Sequence, residues 1–354
     1  MRPKSESNQI VGDNSPRRIL VVFLSGLGNT LLFRPTLKAI QSVSPDAKLD
    51  FLIENSTVET LVKPDFPQSS FVYWPGGVAE RVRVFLELKK EKYDCIITTF
   101  EAQGWKLALF GRFTAIPMRI GYAQGKWYDS LYTHLLTFDP DMHEVDRHLK
   151  LLKPLGICLA EPPDMSLNVC GDFAQFHKLL PDNKSSVCIH AGCSRNLIQK
   201  RWPLERFASV ARELISQNYN VIFLGGQDEV EMIPELKRLF GDSLQILIGK
   251  LNIWETAFVI RESKLMISND SGLMHLACAV STPVVAVFGP TEISKNRPYS
   301  PDSKVVKADV KCRPCDIVNV ECNLKCLGDI APEDVLTAVC GVLSKTPANP
   351  RVWV

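Results

Sequence analysis

The stretch Lys264–Thr291, KLMISNDSGLMHLACAVSTPVVAVFGPT, decides the fold. Leu265–Ser268 reads as a short apolar strand, and Asn269-Asp270-Ser271-Gly272 as a polar turn. The small and apolar residues after Gly272 form a helix. Pro283–Phe288 is a second apolar strand, closed by the turn Gly289-Pro290-Thr291. Strands that are apolar on both faces and separated by a helix belong to a parallel sheet covered on both sides. Open sheets of that kind take ligands at the carboxyl ends of their strands, where both turns fall. Gly272 lets a ligand approach the backbone closely. The first amides of the helix, with its dipole, suit an anion such as phosphate. His275 lies one turn further, on the side that can face the same anion. Asp270 repels phosphate but can accept sugar hydroxyls. The same residues would also suit an N-capped helix with a buried histidine.

The pattern repeats along the chain. Strands are expected at Ile19–Leu24, Leu49–Ile53, Cys95–Thr99, Val187–His190, Val221–Leu224, Gln245–Ile248, Leu265–Ser268 and Val284–Phe288. Helices are expected at Thr36–Val43 and Phe207–Gln217. Asp228 with Glu231, and Asn252 with Glu255, have the spacing of capping boxes. Val78–Lys90 reads as an amphipathic helix, with Val78, Val82, Phe85 and Leu86 apolar and Arg81, Arg83, Lys89 and Lys90 between them. A solvated face explains those charges, and a membrane-facing role is the alternative. Pro162, Pro163, Gly171 and Pro181 interrupt the alternation between Pro154 and Lys184. The organisation expected is a disordered leader (1–16), an α/β domain (17–170), a linker (171–183), a second α/β domain (184–340) and a tail (341–354).

The length of 354 residues fits two domains better than one. A formal net charge of +2 and 23% charged residues give no field that would recruit nucleic acid. No run approaches the roughly 18 apolar residues of a membrane-spanning helix. Met1–Arg18 lacks the apolar core of a signal peptide, so a cytoplasmic location is expected. Among eleven cysteines, Cys95, Cys188 and Cys278 sit singly in apolar runs and read as small core residues. Cys312, Cys315, Cys322 and Cys326 follow the spacing C-x2-C-x6-C-x3-C. That spacing suits a structural tetrahedral zinc or iron site, or else free thiols in a loop.

Asn269–Thr291 resembles glycosyltransferase family 9, the bacterial lipopolysaccharide heptosyltransferases. Other segments resemble the family in order: ILVVFLSGLGNTLLFRPTLKAI (19–40), RIGY (119–122), HEVDRHLKLLKPLG (143–156), IHAGCSRNLIQKRWPLERF (189–207) and GKLNIWETAFVIRESKLMISNDSG (249–272). The resemblance covers about residues 18–340. It implies a GT-B architecture, two Rossmann-like domains with parallel sheets facing across a cleft. The first would bind the acceptor, and the second a nucleotide-diphosphate sugar, usually ADP-heptose. It also implies inverting transfer without a catalytic metal, at the cytoplasmic face of the inner membrane, to a glycolipid acceptor of the lipopolysaccharide-core type. By resemblance Lys200 and Ser194 would contact the donor diphosphate, with Ser271, Gly272 and His275 completing the pocket. Asp270 would orient the sugar, and Asp228 or Glu231 would lie near the nucleoside. Arg34, Lys38 and Arg119 would suit acidic groups of the acceptor.

The first glycine loop, Gly26-Leu27-Gly28-Asn29, departs from that family. Its members carry aspartate at the position of Asn29, where it is the proposed general base. An amide cannot take that proton. Glu101, just past the strand Cys95–Thr99, is the substitute expected from the sequence. An acidic acceptor, or deprotonation by the leaving phosphate, would remove the need for one. A non-catalytic nucleotide-sugar or glycan-binding relative is a further alternative, as are another donor sugar or a protein acceptor. A dinucleotide-dependent oxidoreductase would need a third glycine where Leu31 stands.

Overall fold

The computed structural model describes residues 16–159, 164–181, 185–315 and 322–345. Residues 1–15 and 346–354, within the expected leader and tail, lie outside them. The chain divides into two compact units between Met165 and Ser166.

The first unit holds six parallel strands: β1 (Arg18–Phe23), β2 (Lys48–Ile53), β3 (Phe71–Tyr73), β4 (Cys95–Thr98), β5 (Met118–Tyr122) and β6 (His134–Leu136). Their order is β3-β2-β1-β4-β5-β6. Successive residues of β1 point to opposite faces and so feed two cores. Ile19, Val21 and Phe23 pack with Phe33, Leu37 and Ile40 of α1 (Leu27–Val43). The short α2 (Ser56–Val62) and α5 (Glu144–Lys150) complete that side. Leu20 and Val22 pack on the other side with Val84 and Leu88 of α3 (Val78–Lys90) and Leu107 and Phe110 of α4 (Trp105–Phe113). Each fully buried side chain of this size contributes about 1.5–3 kcal/mol.

Two expectations change here. α1 begins at Leu27, not Thr36, and runs through Pro35. Proline removes one backbone donor, but Leu31, Leu32, Phe33 and Leu37 are buried on either side of it and hold the helix together. α3 occupies the expected residues, with Arg83, Lys89 and Lys90 solvated and Phe85 packed inward, but its apolar stripe is not the one that is buried. Val84 and Leu88 are buried, while Val78, Val82 and Leu86 are exposed. Apolar residues lie around most of this helix, so periodicity alone does not select the inward face. The edge-to-face contact of Phe85 with Phe110, 5.5 Å between ring centres, fixes its rotation.

The second unit repeats the plan with β7 (Ser186–His190), β8 (Asn220–Phe223), β9 (Gln245–Ile246), β10 (Leu265–Asn269), β11 (Val284–Phe288) and β12 (Lys304–Lys307). The order is β12-β11-β10-β7-β8-β9, again all parallel. Around this sheet lie α6 (Leu204–Ser216), α7 (Ile233–Phe240), α8 (Ile253–Arg261), α9 (Gly272–Ala279), the one-turn α10 (Ile293–Asn296) and α11 (Lys325–Gly328), and α12 (Pro332–Leu343). Leu167 donates its N–H to the Ala279 carbonyl, and Phe173 stacks on Phe258, so this lead-in folds onto the second unit.

The expected strands all form, within a residue or two at their ends. β3, β5, β6 and β12 have no counterpart in the sequence reading. They are short, and charged or polar residues such as Arg119, His134, Lys304 and Lys307 break their apolar runs. In each sheet the strand order reverses beside the first strand, between β1 and β4 and between β7 and β10. The loops leaving those paired strands diverge and open a crevice at the carboxyl edge.

Candidate functional site

The reversal in the second sheet places the end of β7 beside the end of β10, with Ser268 paired in register with His190. Asn269 closes β10 and is wholly buried. Its Nδ2 donates to the carbonyls of Ala191 and Gly192 at 2.8 and 3.2 Å. Its Oδ1 accepts the Trp202 backbone N–H at 3.0 Å. One amide thereby ties three loops together, and a buried amide so satisfied fixes their mutual positions.

The third of these loops carries Lys200. A short helical turn, Arg195–Lys200, opens at the exposed Ser194 and ends at Lys200. The ring of Trp202 is buried, edge-on to Phe207, and its Nε1 donates to the Ile330 carbonyl at 3.2 Å. With Trp202 anchored two residues away, the Lys200 ammonium reaches across to Asp270 Oδ2 at 2.7 Å. Thr291 Oγ1 donates to the same oxygen at 2.9 Å. The turn after β10, the turn after β11 and the lysine loop meet at this carboxylate.

Ser271 is the N-cap of α9, and serine there usually accepts from its own helix. Here its hydroxyl makes no such bond. It lies 3.0 Å from His190 Nδ1 and 3.0 Å from Ser268 Oγ instead. The opening amides of α9 are therefore left without a side-chain cap, beside the partly exposed Gly272. A helix end in that condition is suited to an anion. His275 is buried one turn further along the helix.

The loop after β8 differs from its expected form. Asp228 and Glu231 are exposed and make no capping box. Glu229, next to Asp228, is buried, and its Oε2 accepts the Gly226 N–H at 2.6 Å. Its Oε1 lies 3.7 Å from His190 Nε2. Burial pushes the Glu229 carboxyl up, but His190, the Gly226 amide and Arg201 outweigh that and hold it below the ordinary value. Glu231 turns to Arg201 at 2.8 Å. The capping box at Asn252 and Glu255 forms as expected. Gly192 is required by close packing: a Cβ there would come within 2.3 Å of the Glu229 side chain.

Of the residues singled out in the sequence, Lys200, Asp270, Ser271, Gly272 and His275 gather at one edge, with Ser194 at the start of the lysine turn. His190, Glu229, Asn269, Trp202 and Thr291 were missed. A polar residue at the very end of an apolar strand was the available signal for His190 and Asn269.

In the first unit Gly26 and Gly28 lie at the start of α1, with Gly26 as its N-cap. Asn29 Nδ2 donates to Ser25 Oγ at 2.6 Å, and Asn55 Nδ2 to the Ser25 carbonyl at 2.8 Å. Glu101 is exposed in a single turn, Phe100–Ala102, just past β4. Asn29, in the first turn of α1, and Glu101 thus follow two adjacent strands, where the sheet order reverses. Each of the three cations expected to suit the acceptor has a partner within this unit. Arg34 is buried, donates to the Leu61 carbonyl and pairs with Asp65 at 2.5 Å. Lys38 pairs with Asp164 at 2.6 Å. Arg119 donates to the carbonyls of Leu131 and Ile116.

Of the four cysteines expected to suit a structural metal, Cys312, Cys315 and Cys322 lie near enough to Cys326 for their charges to bear on it. Among the described residues no three His, Cys, Asp or Glu side chains gather as ligands. Cys326 is buried on α11, whereas Cys312 and Cys322 are exposed. Burial first, then the charges of the three neighbouring thiols, raises the Cys326 thiol. The four share a neighbourhood without converging on one point. Cys95, Cys188 and Cys278 are core residues as expected, and burial pushes the last two up to about 12. Among the described residues no helix is long and apolar enough to cross a membrane.

Two doubly wound units, one with an uncapped helix end and a lysine at its reversal point, define a GT-B glycosyltransferase. The chain belongs to glycosyltransferase family 9 (heptosyltransferase), whose model matches residues 81–327. Lipooligosaccharide heptosyltransferase 2 of Campylobacter jejuni is 26% identical, over 93% of this chain and 99% of its own. The family 9 glycosyl transferase from Veillonella parvula superposes with a TM-score of 0.78 at 22% identity, over 93% and 98% of the two chains. The ADP-heptose heptosyltransferase II of E. coli gives 0.75 at 22%, over 93% and 99%.

Proposed function

We propose that the protein transfers a heptose from ADP-heptose, with inversion, to a glycolipid acceptor of the lipopolysaccharide-core type. The observation that carries this reading is the arrangement of Lys200, Asp270 and the uncapped start of α9 at one sheet edge. The diphosphate lies against the amides after Ser271, within reach of Lys200. Asp270 accepts sugar hydroxyls, and Ser194 adds a donor at the rim. Relatives that are lipopolysaccharide or lipooligosaccharide heptosyltransferases over nearly their full length support the choice of sugar and acceptor.

In the reaction an acceptor hydroxyl attacks the anomeric carbon, and the bond from that carbon to the diphosphate oxygen breaks. The electron pair leaves with ADP. Lys200 and the helix amides meet the charge as it develops, which is where preorganised donors act most strongly. The hydroxyl proton goes to a base of the first unit. Asn29 cannot take it, and Glu101 on the adjacent strand loop is the carboxylate assigned to it. Asn29 also sustains a second reading, a relative that binds donor without turnover.

Thermal-shift and calorimetric titration with ADP, ADP-heptose, UDP and UDP-sugars tests the donor. Selective binding of the adenosine compounds is expected. Preference for a uridine compound, or no stabilisation by any of them, would overturn the assignment. Incubation with ADP-heptose and lipopolysaccharide-core acceptors then separates transferase from binder.

A further inference from the structure

We infer that the α3–α4 face of the first unit is a docking surface for an anionic lipid bilayer. α3 and α4 lie side by side on one face of the sheet, since Val84 and Leu88 share a core with Leu107 and Phe110. Their outer sides carry matching stripes. On α3, Val78, Val82 and Leu86 follow one another at intervals of four residues and are 76%, 52% and 52% exposed. On α4, Trp105, Leu109 and Phe113 have the same spacing, with Trp105 50% and Phe113 62% exposed. Leu, Val, Phe and Trp in two rows are what a buried helix face carries, yet these side chains, Leu109 apart, stay exposed among the described residues.

The charges around the stripes decide between occupants. Arg83, Lys89, Lys90, Lys106 and Arg112 are exposed on the two helices, against the exposed carboxylates Glu80 and Glu87. Glu87 is 3.7 Å from Arg83, and both glutamates lie on the side of α3 away from Val82. Lys106 extends over the ring of Trp105, with its ammonium 5.5 Å from the centroid. Large exposed apolar patches mark protein or membrane contacts. A two-fold contact with a second copy would bring these cations against themselves. Aromatic and aliphatic rows flanked by lysine and arginine fit the headgroup region, where chains enter the acyl boundary and cations meet phosphate. Trp127, 64% exposed in the turn that packs beside α4, adds an interfacial aromatic.

The surface extends the glycolipid reading above, because an acceptor anchored in a leaflet would be met by the unit assigned to it. Its test contains no acceptor, so the two readings fail separately. The full chain is sedimented with vesicles of phosphatidylcholine alone and of phosphatidylcholine with phosphatidylglycerol. Salt-sensitive binding to the anionic vesicles, with a blue shift of tryptophan emission, is expected. Val82→Glu with Leu86→Glu, or Phe113→Glu, abolishes it. Lys89→Glu with Lys90→Glu weakens it roughly tenfold or more, as each cation near an anionic surface is worth about fivefold. All three variants retain the wild-type melting temperature and ADP response, since every substituted side chain is exposed. A chain that stays in the supernatant with anionic vesicles overturns the inference, as do variants that sediment like wild type. A dimer dissolved by the same variants, without vesicle binding, reassigns the face to self-association.

Discussion

Lys200 Nζ and Asp270 Oδ2 lie 2.7 Å apart, with only 14% and 5% of their side chains exposed. A cation already held by a carboxylate is a weaker ligand for diphosphate, so the donor must share it with Asp270. Asp270→Asn keeps the shape, keeps an acceptor for Thr291 and releases the ammonium. Calorimetry of this variant should show tighter ADP binding, while turnover falls because the sugar loses its carboxylate. Lys200→Ala should weaken ADP binding and lower kcat/KM by about 10²–10³, the usual loss for one group that meets developing charge. Unchanged ADP affinity in Lys200→Ala would remove the physical basis of the donor site.

Ser271 allows the anion site to be tested from the opposite direction. Its hydroxyl bonds to His190 and Ser268 and leaves α9 uncapped. Ser271→Ala should cost about 1–3 kcal/mol of stability, because two buried polar groups lose a partner. ADP affinity should change by no more than about threefold if backbone amides hold the phosphate. Ser271→Asp places a carboxylate where the diphosphate belongs and caps the helix itself. It should abolish ADP binding in a folded protein. Retained ADP binding in Ser271→Asp would put the nucleotide elsewhere.

How much of this was legible follows from where each signal resides. β10 and β11 were readable because both faces of Leu265–Ser268 and Val284–Phe288 are buried, which leaves an unbroken apolar run in the chain. The tie made by Asn269 was not readable, because its partners Ala191, Gly192 and Trp202 come from strands and loops far back in the sequence. Lys200 was found by resemblance alone, and what presents it, the buried Trp202, is an effect of packing. Around Glu229 the error was a register of two residues, since the capping pair is Gly226 with Glu229. Asp228 and Glu231 have capping spacing, but the buried turn uses Glu229. In α3 the helix was visible and its inward face was not, since apolar residues occur on both sides.

The proton acceptor is settled by two substitutions just past adjacent strands. Glu101→Gln should lower kcat by about 10²–10⁴, the range for loss of a general base, with donor affinity unchanged. Asn29→Asp, introduced into that variant, should restore turnover if the loop after β1 still faces the acceptor hydroxyl. Glu101 is exposed, and a carboxylate at position 29 can accept from the Ser25 hydroxyl that the Asn29 amide now donates to, so neither change threatens the fold. Full activity in Glu101→Gln would eliminate it and leave an acidic acceptor or the leaving phosphate as proton sink. Turnover gained by Asn29→Asp in the otherwise native chain would mark a lost base.

Glu229 links the second unit to pH. Its carboxyl is held below the ordinary value of 4.5 by His190, the Gly226 amide and Arg201, which together outweigh burial. A carboxyl lowered on folding stabilises the folded state fully above its unfolded value. That contribution disappears as pH falls through the lower folded value. Thermal unfolding followed from neutral pH downwards should therefore show a loss of stability that begins near pH 4.5 and grows below it. Glu229→Gln should flatten that slope and lower stability at neutral pH, because His190 and the Gly226 amide lose a charged acceptor. Gly192→Ala should mimic the neutral-pH loss at about 1–3 kcal/mol, since its methyl group would collide with the Glu229 side chain. If Glu229→Gln kept the full acid dependence of the wild type, the pairing of Glu229 with His190 would contribute nothing to folding, and the carboxylates responsible would lie elsewhere in the chain.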